Sequence, residues 1–352
     1  MVRPPPPIWC GALSPDVEQQ VCFAAIFAAP TPIPLPEKGP MKRSIALLPL
    51  TVLLLAGCAA TPAPGPVATT ADPITVTNCG FDLTVSTPPE KIVAIKSTST
   101  DLLLALGLEE RIVGLAFQDG EQPSELPVIA EHMPTEEALL ELEPDFVFSG
   151  WESAFTPEAA GERAELADLG VGTYVAPAAC KEPEFKPTRL GFDQLFDQIT
   201  EAGRIFGASD AASALVAQQR EQLASINADD RGLTALWWSS GDDTPYVGAG
   251  IGAPQMMMDA LGLTNIAAAI DDTWSPLAWE AIVDADPDVI VLVDASWNTA
   301  AAKMATLASD PATATLSAVV NQRYLVIPFA AGEAGVRSVP ATADLADQLT
   351  AL

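Results

Sequence analysis

The feature that most limits the possible folds of this chain is a short internal repeat. Residues 137–148 read EALLELEPDFVF, and residues 280–292 read EAIVDADPDVIVL. Aligned on Glu137 and Glu280, each copy has an alanine, two apolar residues, an acid-Pro-Asp triplet and an apolar run. The proline ends a short helix, and a strand that is apolar on both faces is typical of the centre of a parallel sheet. The repeat therefore predicts two α/β lobes of similar design with a cleft between them.

Strand-like and helix-like segments alternate around both copies, which predicts doubly wound parallel sheets. The first predicted lobe, residues 73–191, has strands at 91–96, 112–117, 146–149 and 171–175 and helices at 100–106, 136–142 and 161–169. The second, residues 227–352, has strands at 233–238, 289–293 and 324–328 and helices at 254–261, 278–283, 300–308 and 341–352.

A helical stretch at 192–226 separates the two predicted lobes. Its apolar residues recur at helical spacing, at Leu195, Ile199, Ala202 and Phe206. Gly207 and Ser209 interrupt the stripe before a second helical run. We expect a long linking helix, which permits a small hinge motion rather than a wide opening.

An export signal precedes the predicted lobes. Residues 41–58 read MKRSIALLPLTVLLLAGC, with two basic residues, a short apolar run and small residues before a cysteine. The run is short for a transmembrane helix and typical of a secretory signal. Residues 58–72, rich in Ala, Thr and Pro, form a predicted flexible tether. Residues 1–40 fit no part of this pattern, so we expect Met41 to be the true start.

The sequence LAGC at residues 55–58 resembles the lipobox of bacterial lipoproteins. The resemblance implies removal of residues 41–57, acylation of Cys58 and location on the extracytoplasmic face of the cell membrane. The alternative is an ordinary signal peptide with an incidental cysteine. After Cys58 the chain has one further cysteine pair, Cys79 and Cys180. Export places this pair in an oxidising compartment, which predicts a disulfide, with two free buried thiols as the alternative.

Charge and composition exclude several classes of function. The net charge is −29 at pH 7, which disfavours binding to nucleic acid and to anionic lipid surfaces. His132 is the single histidine and lies in a predicted surface loop. A Ser-His-Asp hydrolase would depend on it, and the chain has no G-x-S-x-G motif. Clusters of metal-binding side chains are also absent from the sequence pattern, so we expect no catalysis, no cofactor and no metal site.

The loops after the predicted strands hold the candidate ligand-binding residues, because doubly wound sheets bind ligands beyond the carboxyl ends of their strands. The candidates are Lys96, Ser97, Thr98, Trp151, Glu152, Trp238, Ser240, Gly250, Gly252, Trp274, Trp297 and Arg337. The tryptophans are suited to stacking on a flat aromatic ligand. Trp237 must face away from Trp238 on the same strand and is the expected core residue. Lys96 and Arg337 are scarce cations suited to an anionic ligand, unless Arg337 pairs with Glu333.

The segment VGAGIGAP at residues 247–254 follows a predicted strand and begins a helix, with Pro254 in its first turn. Backbone N–H groups at a helix N-terminus bind phosphate or carboxylate, which makes Gly250 and Gly252 candidates for an anion site. A structural turn is the alternative. As a dinucleotide fingerprint the segment fails, because its third glycine comes one residue early.

These features together resemble the substrate-binding proteins of ABC importers for iron-siderophores, haem and cobalamin, through the lipobox, the linking helix and one Glu-x6-Pro-Asp element in each lobe. SGWES at 149–153, GVGTYVAPAACKEP at 170–183 and TPYVGAGIGAPQMMMDALGLTNIA at 244–267 resemble an actinobacterial subgroup described as receptors for a precursor of the deazaflavin coenzyme F-420. The resemblance implies a monomeric receptor that binds its small-molecule ligand between two lobes and delivers it to an ABC permease dimer.

In the family that this chain resembles, one glutamate on each lobe docks into arginine pockets on the permease subunits. The resemblance assigns that role to Glu137 and Glu280, and a symmetric pair of acids suits a twofold-symmetric partner. Solvated glutamates favoured by the helix dipole are the alternative. Other functions left open are a receptor for iron-siderophore, haem or corrinoid, an envelope enzyme related to chelatases, and a structural or adhesive lipoprotein.

Overall fold

A computed structural model describes residues 72–120 and 125–352. These residues all belong to one compact unit of the chain, residues 68–352. The predicted extension at 1–40, the signal peptide at 41–57 and the lipidation site Cys58 lie outside the described residues.

The first of two large sheets is fully parallel. After a hairpin of β1 (Ile74–Asn78) and β2 (Phe81–Val85), its strands are β3 (Ile92–Ile95), β4 (Ile112–Ala116), β5 (Val128–Ala130), β6 (Phe146–Ser149) and β7 (Gly172–Val175). The connecting helices are α1 (Ser97–Ala105), α2 (Glu136–Leu140) and α3 (Arg163–Asp168). The strand order is β5-β4-β3-β6-β7. The order reverses between β3 and β6, which is the position where doubly wound sheets bind ligands.

The second sheet is mixed rather than fully parallel. Its strands are β8 (Thr234–Ser240), β9 (Tyr246–Gly248), β10 (Thr264–Asn265), β11 (Trp274–Pro276), β12 (Val289–Asp294) and β13 (Tyr324–Pro328). The order is β11-β9-β8-β12-β13, and β10 also pairs with β8. β12 is parallel to both of its neighbours, whereas β9 is antiparallel to β8. Residues 241–245 are too few for a crossover between parallel strands, so the chain turns back as a hairpin.

The linking stretch forms two helices rather than one long helix. The remaining helices are α4 (Phe192–Ile205), α5 (Ser209–Ala224), α6 (Ala253–Leu261), α7 (Trp279–Ala285), α8 (Ala300–Ser309), α9 (Ser317–Val320) and α10 (Ser338–Thr350). α4 ends where Gly207 adopts a φ of +68°, a conformation that glycine tolerates well. A Cβ on Gly203 would lie 2.3 Å from the Ala212 side chain, so α4 and α5 pack closely against each other.

The two copies of the repeat have the same local structure, α2 before β6 and α7 before β12. The Asp145 carboxylate accepts hydrogen bonds from the backbone N–H groups of Glu90 and Lys91, at 2.8 and 2.9 Å. The Asp288 carboxylate accepts them from the N–H and hydroxyl of Thr234, both at 2.9 Å. In each copy the aspartate therefore fixes the start of the neighbouring strand, β3 or β8.

The predicted disulfide between Cys79 and Cys180 is present, with 5.2 Å between the two Cα atoms. Cys79 and Gly80 form the two-residue turn between β1 and β2, with φ values of +48° and +78°. Positive φ at both positions is the geometry of a type I′ hairpin turn. Runs of alternating apolar and polar residues on both sides of Cys79-Gly80 indicate this hairpin, which was not among the predicted elements.

Candidate functional site

The carboxyl ends of the two sheets meet around the ammonium group of Lys96. Its Nζ atom lies 3.9 Å from the ring centroid of Trp151, 4.4 Å from that of Phe117 and 5.1 Å from that of Phe329. Cations within about 6 Å of ring faces are attracted by the ring quadrupoles. We use the name Lys96 cluster for Lys96, Phe117, Asp119, Trp151, Phe329 and Glu333.

Lys96 forms a buried ion pair with Asp119. Nζ lies 2.5 Å from Asp119 Oδ2, and the two side chains are 0% and 3% exposed. The Ser97 hydroxyl oxygen accepts from the Asp119 backbone N–H at 2.6 Å and lies 3.2 Å from its carbonyl oxygen. These bonds fix the loop after β4 against the start of α1, and so hold the backbone of Asp119 next to Lys96.

Two members of the Lys96 cluster have strained backbones. Lys96 has φ +79° and Phe117 has φ +48°, a region that favours glycine. The Lys96 N–H donates to the Ala116 carbonyl at 3.0 Å, which helps to hold this conformation. Gly150 lets the loop after β6 approach, since a Cβ there would lie 2.1 Å from Thr98 Oγ1. Such strain concentrates at functional sites, which supports assigning the site here.

Glu333 reaches the Lys96 cluster from the loop after β13. Trp151 Nε1 donates a hydrogen bond to Glu333 Oε1 at 2.8 Å. Glu333 Oε2 is closed to solvent and has no hydrogen-bond partner among the described residues. Burial raises the pKa of this carboxyl to about 7; nearby Asp119 also raises it, while Lys96 and the Trp151 bond lower it. At neutral pH the group therefore exists in both protonation states.

A second contact joins the two sheets beside the Lys96 cluster. The Arg337 guanidinium contacts both carboxylate oxygens of Asp101, Nη2 to Oδ1 at 2.6 Å and Nε to Oδ2 at 2.5 Å. Arg337 thus braces an acid, but the acid is Asp101 on α1 rather than Glu333. Both cations proposed for the ligand are paired with aspartates in this conformation.

A small void lies between the two sheets and α4. Its volume is about 20 Å³, and it is lined by Thr98, Tyr174, Leu195 and Gly335 among others. That volume holds about one water molecule, whereas small-molecule pockets span about 300–1,000 Å³. An organic ligand can therefore occupy this void only if the two sheets separate.

Trp297 lies at the edge of the Lys96 cluster. Its side chain is 61% exposed, and its ring meets that of Phe329 edge-on at 4.9 Å. Lys303, buried on α8, supports the Trp297 loop by donating to the carbonyl oxygens of Val293 and Asn298 at 2.5 and 2.8 Å. Lys303 was not among the predicted site residues.

Trp238 does not line the cleft. It is fully buried, as is Trp237, and its indole N–H donates to the carbonyl oxygens of Ser240 and Gly241 at 2.9 and 3.2 Å. Its ring packs edge-on against Trp279. β8 extends to Ser240, two residues beyond the predicted strand, so Trp238 lies inside the strand rather than at its end. Ser240, also a candidate, uses its carbonyl oxygen to accept the hydrogen bond of this buried indole.

Two further candidates point to other partners. Glu152 accepts a hydrogen bond from the backbone N–H of Lys181 at 2.5 Å, next to the disulfide. Trp274 lies on the edge strand β11, and its ring stacks on that of Tyr246 at 6.2 Å. The contacts of both side chains are thus with residues outside the Lys96 cluster.

At Gly250 the contacts match the alternative of a structural turn rather than the predicted anion site. The backbone N–H groups of Ala249, Gly250 and Ile251 all donate to carbonyl oxygens within residues 270–273, at 2.9–3.1 Å. At Gly252, a Cβ would lie 2.9 Å from the Thr273 carbonyl oxygen. The segment 270–273 therefore occupies the Gly250 N–H group that the prediction assigned to a ligand.

The sequence prediction missed Phe117 and Asp119 as members of the site, whereas Phe329 begins a loop, 329–337, that the strand-end rule selects. Phe117 was assigned to the end of a strand, and Asp119 lies two residues further on. The rule that selected Lys96 and Trp151 also applies to the loop after β4 and would have pointed to Asp119. Its pairing with Lys96 depends on the tertiary fold.

Glu137 and Glu280 occupy matched positions. Each is exposed and is the second residue of its helix, α2 or α7. His132 is exposed in a loop, as predicted, with its ring edge-on to Phe117 at 5.7 Å. Within residues 72–120 and 125–352, no helix is long and apolar enough to cross a membrane.

Folding stability is expected to fall as the pH rises from about 4.5 to 7. The pKa of Glu333 is raised above its ordinary value of 4.5, so in this window the folded protein binds more protons than the unfolded chain. At 1.36 kcal/mol per pKa unit, the full effect is at most about 3 kcal/mol. Urea unfolding across this pH range measures it. In Glu333→Gln the free energy of unfolding should depend less on pH than in the exposed control Glu158→Gln. An equal pH dependence in the two variants would contradict a raised pKa of Glu333.

Comparisons with known proteins agree with this architecture. A family model described as "Periplasmic binding protein" matches residues 92–331, more than half of the chain. An uncharacterized ABC transporter substrate-binding lipoprotein of Bacillus subtilis, YvrC, is 25% identical over 232 residues, 63% of this chain and 69% of that protein. A cobalamin-binding protein of Halobacterium salinarum is 26% identical over 226 residues, 59% of this chain and only 55% of the relative. The crystal structure of a periplasmic binding protein from Veillonella parvula matches with a TM-score of 0.71 at 22% identity, covering 80% of this chain and 98% of that one.

Proposed function

This chain is a substrate-binding protein of the periplasmic binding protein family, and we propose that it serves an ABC importer by capturing a small, flat, anionic organic ligand between its two sheets. The observation that carries the proposal is the Lys96 cluster, which brings residues from both sheets together at the carboxyl ends of their strands. Binding is followed by delivery to a permease, and no bond is made or broken.

The aromatic side chains at the cleft support a flat ligand. Trp151, Phe117 and Phe329 surround Lys96, and Trp297 adds an exposed ring beside Phe329. A well-placed aromatic pair contributes about 0.5–1.5 kcal/mol beyond the area that it buries. We propose a deazaflavin coenzyme precursor as the ligand, on the resemblance of 149–153, 170–183 and 244–267 to the subgroup described above.

The runner-up ligand is a corrinoid, with haem or an iron-siderophore as further members of the same class. The Halobacterium salinarum relative, described as a cobalamin-binding protein, supports this alternative. A corrin is also a broad, partly flat ring system, so the cleft aromatics do not by themselves separate the two ligands.

Absorbance and native mass spectrometry of protein purified from its own host distinguish these ligands. We expect a yellow deazaflavin chromophore and a matching mass that is released on denaturation. A corrin spectrum, a haem Soret band or a ferric charge-transfer band would show that the ligand belongs to the runner-up class and is not a deazaflavin. Conversion of the bound molecule by the protein would refute a receptor and indicate an enzyme.

We propose that the receptor is held at the extracytoplasmic face of the membrane by a lipid on Cys58. The lipobox resemblance and the lipoprotein description of the Bacillus subtilis relative support this. The lipid would keep the receptor close to its permease. Metabolic labelling with palmitate should mark the protein and not its Cys58→Ala variant; labelling of both would refute the anchor.

Charge reversal at both Glu137 and Glu280 is expected to abolish uptake while leaving ligand affinity unchanged. Both carboxylates are exposed on matched helices, and an exposed ion pair contributes only about 0.2–1 kcal/mol. Each single variant should therefore reduce uptake and the double variant should stop it. Uptake of the native ligand in cells, with ligand titration of the purified proteins, measures both effects.

The matched control for this test is charge reversal at Glu158 and Glu221, which are exposed glutamates outside the repeat. The control should take up ligand at the parental rate. Parental uptake by the Glu137→Lys/Glu280→Lys variant would show that these residues are ordinary solvated glutamates.

A further inference from the structure

Glu333 is the member of the Lys96 cluster that reaches across from the second sheet to a side chain of the first. Its loop follows β13, whereas its hydrogen-bond donor, Trp151 Nε1, follows β6. Separation of the two sheets therefore breaks this hydrogen bond. The indole N–H, with Lys96 beside it, then faces the opened cleft with no carboxyl oxygen to bind.

The charges around Glu333 leave no place for a second acid. Lys96 is paired with Asp119, and Arg337 is paired with Asp101. Among these five groups, ionised Glu333 is the one carboxylate without a cationic partner of its own. A ligand acid that approached Trp151 with Glu333 still in place would meet a like charge at short range in a poorly solvated site. The two acids therefore exclude each other.

The hydrogen bonding of the Glu333 carboxyl group is incomplete. One carboxylate oxygen accepts from Trp151, while Oε2 is buried and has no hydrogen-bond partner among the described residues. Burial raises the pKa of the group to about 7, so the closed site tolerates the ionised form poorly. An occupant held in this way is readily displaced.

We propose that the Glu333 carboxyl occupies the subsite for an acidic group of the ligand, and that a ligand carboxylate or phosphate replaces it at Trp151 when the sheets separate. The inference rests on the proposed function, because it assumes a ligand between the two sheets. It adds a position for the acidic group of the ligand, at the Trp151 indole, and a named competitor within the chain.

The test uses acetate as a small carboxylate and the indole ¹H–¹⁵N resonance of Trp151 in the full folded chain, assigned with Trp151→Phe. In Glu333→Ala the resonance should move to the position of a weakly bonded indole. Added sodium acetate should then return it in a saturable manner. The acetate dissociation constant should be at least about tenfold lower than in the parent, where Glu333 competes. Sodium chloride at matched ionic strength should not have this effect.

Two further variants keep the test decisive. Glu333→Gln retains an acceptor for Trp151 without the charge. Acetate should therefore displace the amide side chain from Trp151 at a lower concentration than it displaces Glu333 in the parent. Glu158→Ala, an exposed control, should behave as the parent does. An unmoved Trp151 resonance in Glu333→Ala, or equal acetate binding in Glu333→Ala, Glu333→Gln and parent, would overturn the proposal.

The outcome is independent of the transported ligand. Failure of acetate binding, together with a chromophore in the protein from its host, would refute only the displacement of Glu333. Acetate binding without any co-purified ligand, and without importer-dependent uptake, would refute the receptor function and leave the oxyanion subsite in place.

Discussion

Lys96→Met is expected to lower the free energy of unfolding by about 3–5 kcal/mol, the typical cost of removing one partner from a buried ion pair. Lys96 and Asp119 are 0% and 3% exposed, with 2.5 Å between Nζ and Oδ2. Methionine fills a similar volume but leaves Asp119 as a buried charge without a cation. Urea unfolding at neutral pH, monitored by far-UV circular dichroism, measures the loss.

The matched control is Lys91→Met, which removes an exposed ion pair with Glu143 at 3.5 Å. Exposed pairs contribute about 0–1 kcal/mol, so this variant should unfold close to the parent. The double variant Lys96→Met/Asp119→Asn should recover much of the lost stability, because it removes the uncompensated charge. Lys96→Met as stable as Lys91→Met would show that the buried pair has no such role.

Removal of the Cys79–Cys180 disulfide is expected to cost about 3–5 kcal/mol of folding stability. The bond joins residues 101 positions apart in the chain, and the entropy that a crosslink removes from the unfolded chain grows with the length of the closed loop. Cys79→Ala/Cys180→Ala, compared with the parent by urea unfolding under non-reducing conditions, measures this effect. Alanine is chosen because both positions are buried.

The variant without the disulfide should still fold with its hairpin attached. Buried Arg163 donates to the carbonyl oxygen and side-chain oxygen of Asn78, at 2.7 and 3.0 Å, and so holds the β1–β2 turn independently. The Trp151 indole resonance should therefore remain at its parental position. Equal stability with and without the disulfide would contradict the prediction, and a shifted Trp151 signal would show that the bond also positions the site.

The sequence pattern was sufficient for the central strands. Each apolar run at 91–96, 146–149 and 289–293 lies within one or two residues of an observed strand, β3, β6 or β12. The equivalence of Asp145 and Asp288 also follows from the repeat. Strands that are buried on both faces must be apolar throughout, and that requirement is local and visible in the sequence.

Sequence reasoning failed where a distant segment decided the outcome. The glycine-rich stretch 247–254 has the composition of an anion-binding turn, but carbonyl oxygens of residues 270–273 accept from the N–H groups of Ala249, Gly250 and Ile251. Trp238 was expected at the cleft because the predicted strand ends there, whereas pairing with β9 extends the strand through Ser240. Neither competing partner can be identified from the local pattern.

The sequence by itself determined the helix–strand element repeated in the two sheets, the positions of the central strands along the chain, the cysteine pair, and the end of the sheet at which Lys96 and Trp151 lie. Periodicity and spacing along the chain specify these features. Only the tertiary structure decided which charges are paired. Asp119 forms an ion pair with Lys96, Asp101 forms one with Arg337, and Glu333 accepts a hydrogen bond from Trp151. These partners are 23 to 236 residues apart, and whether a charge is paired or left for a ligand depends on contacts that form only when the two sheets come together.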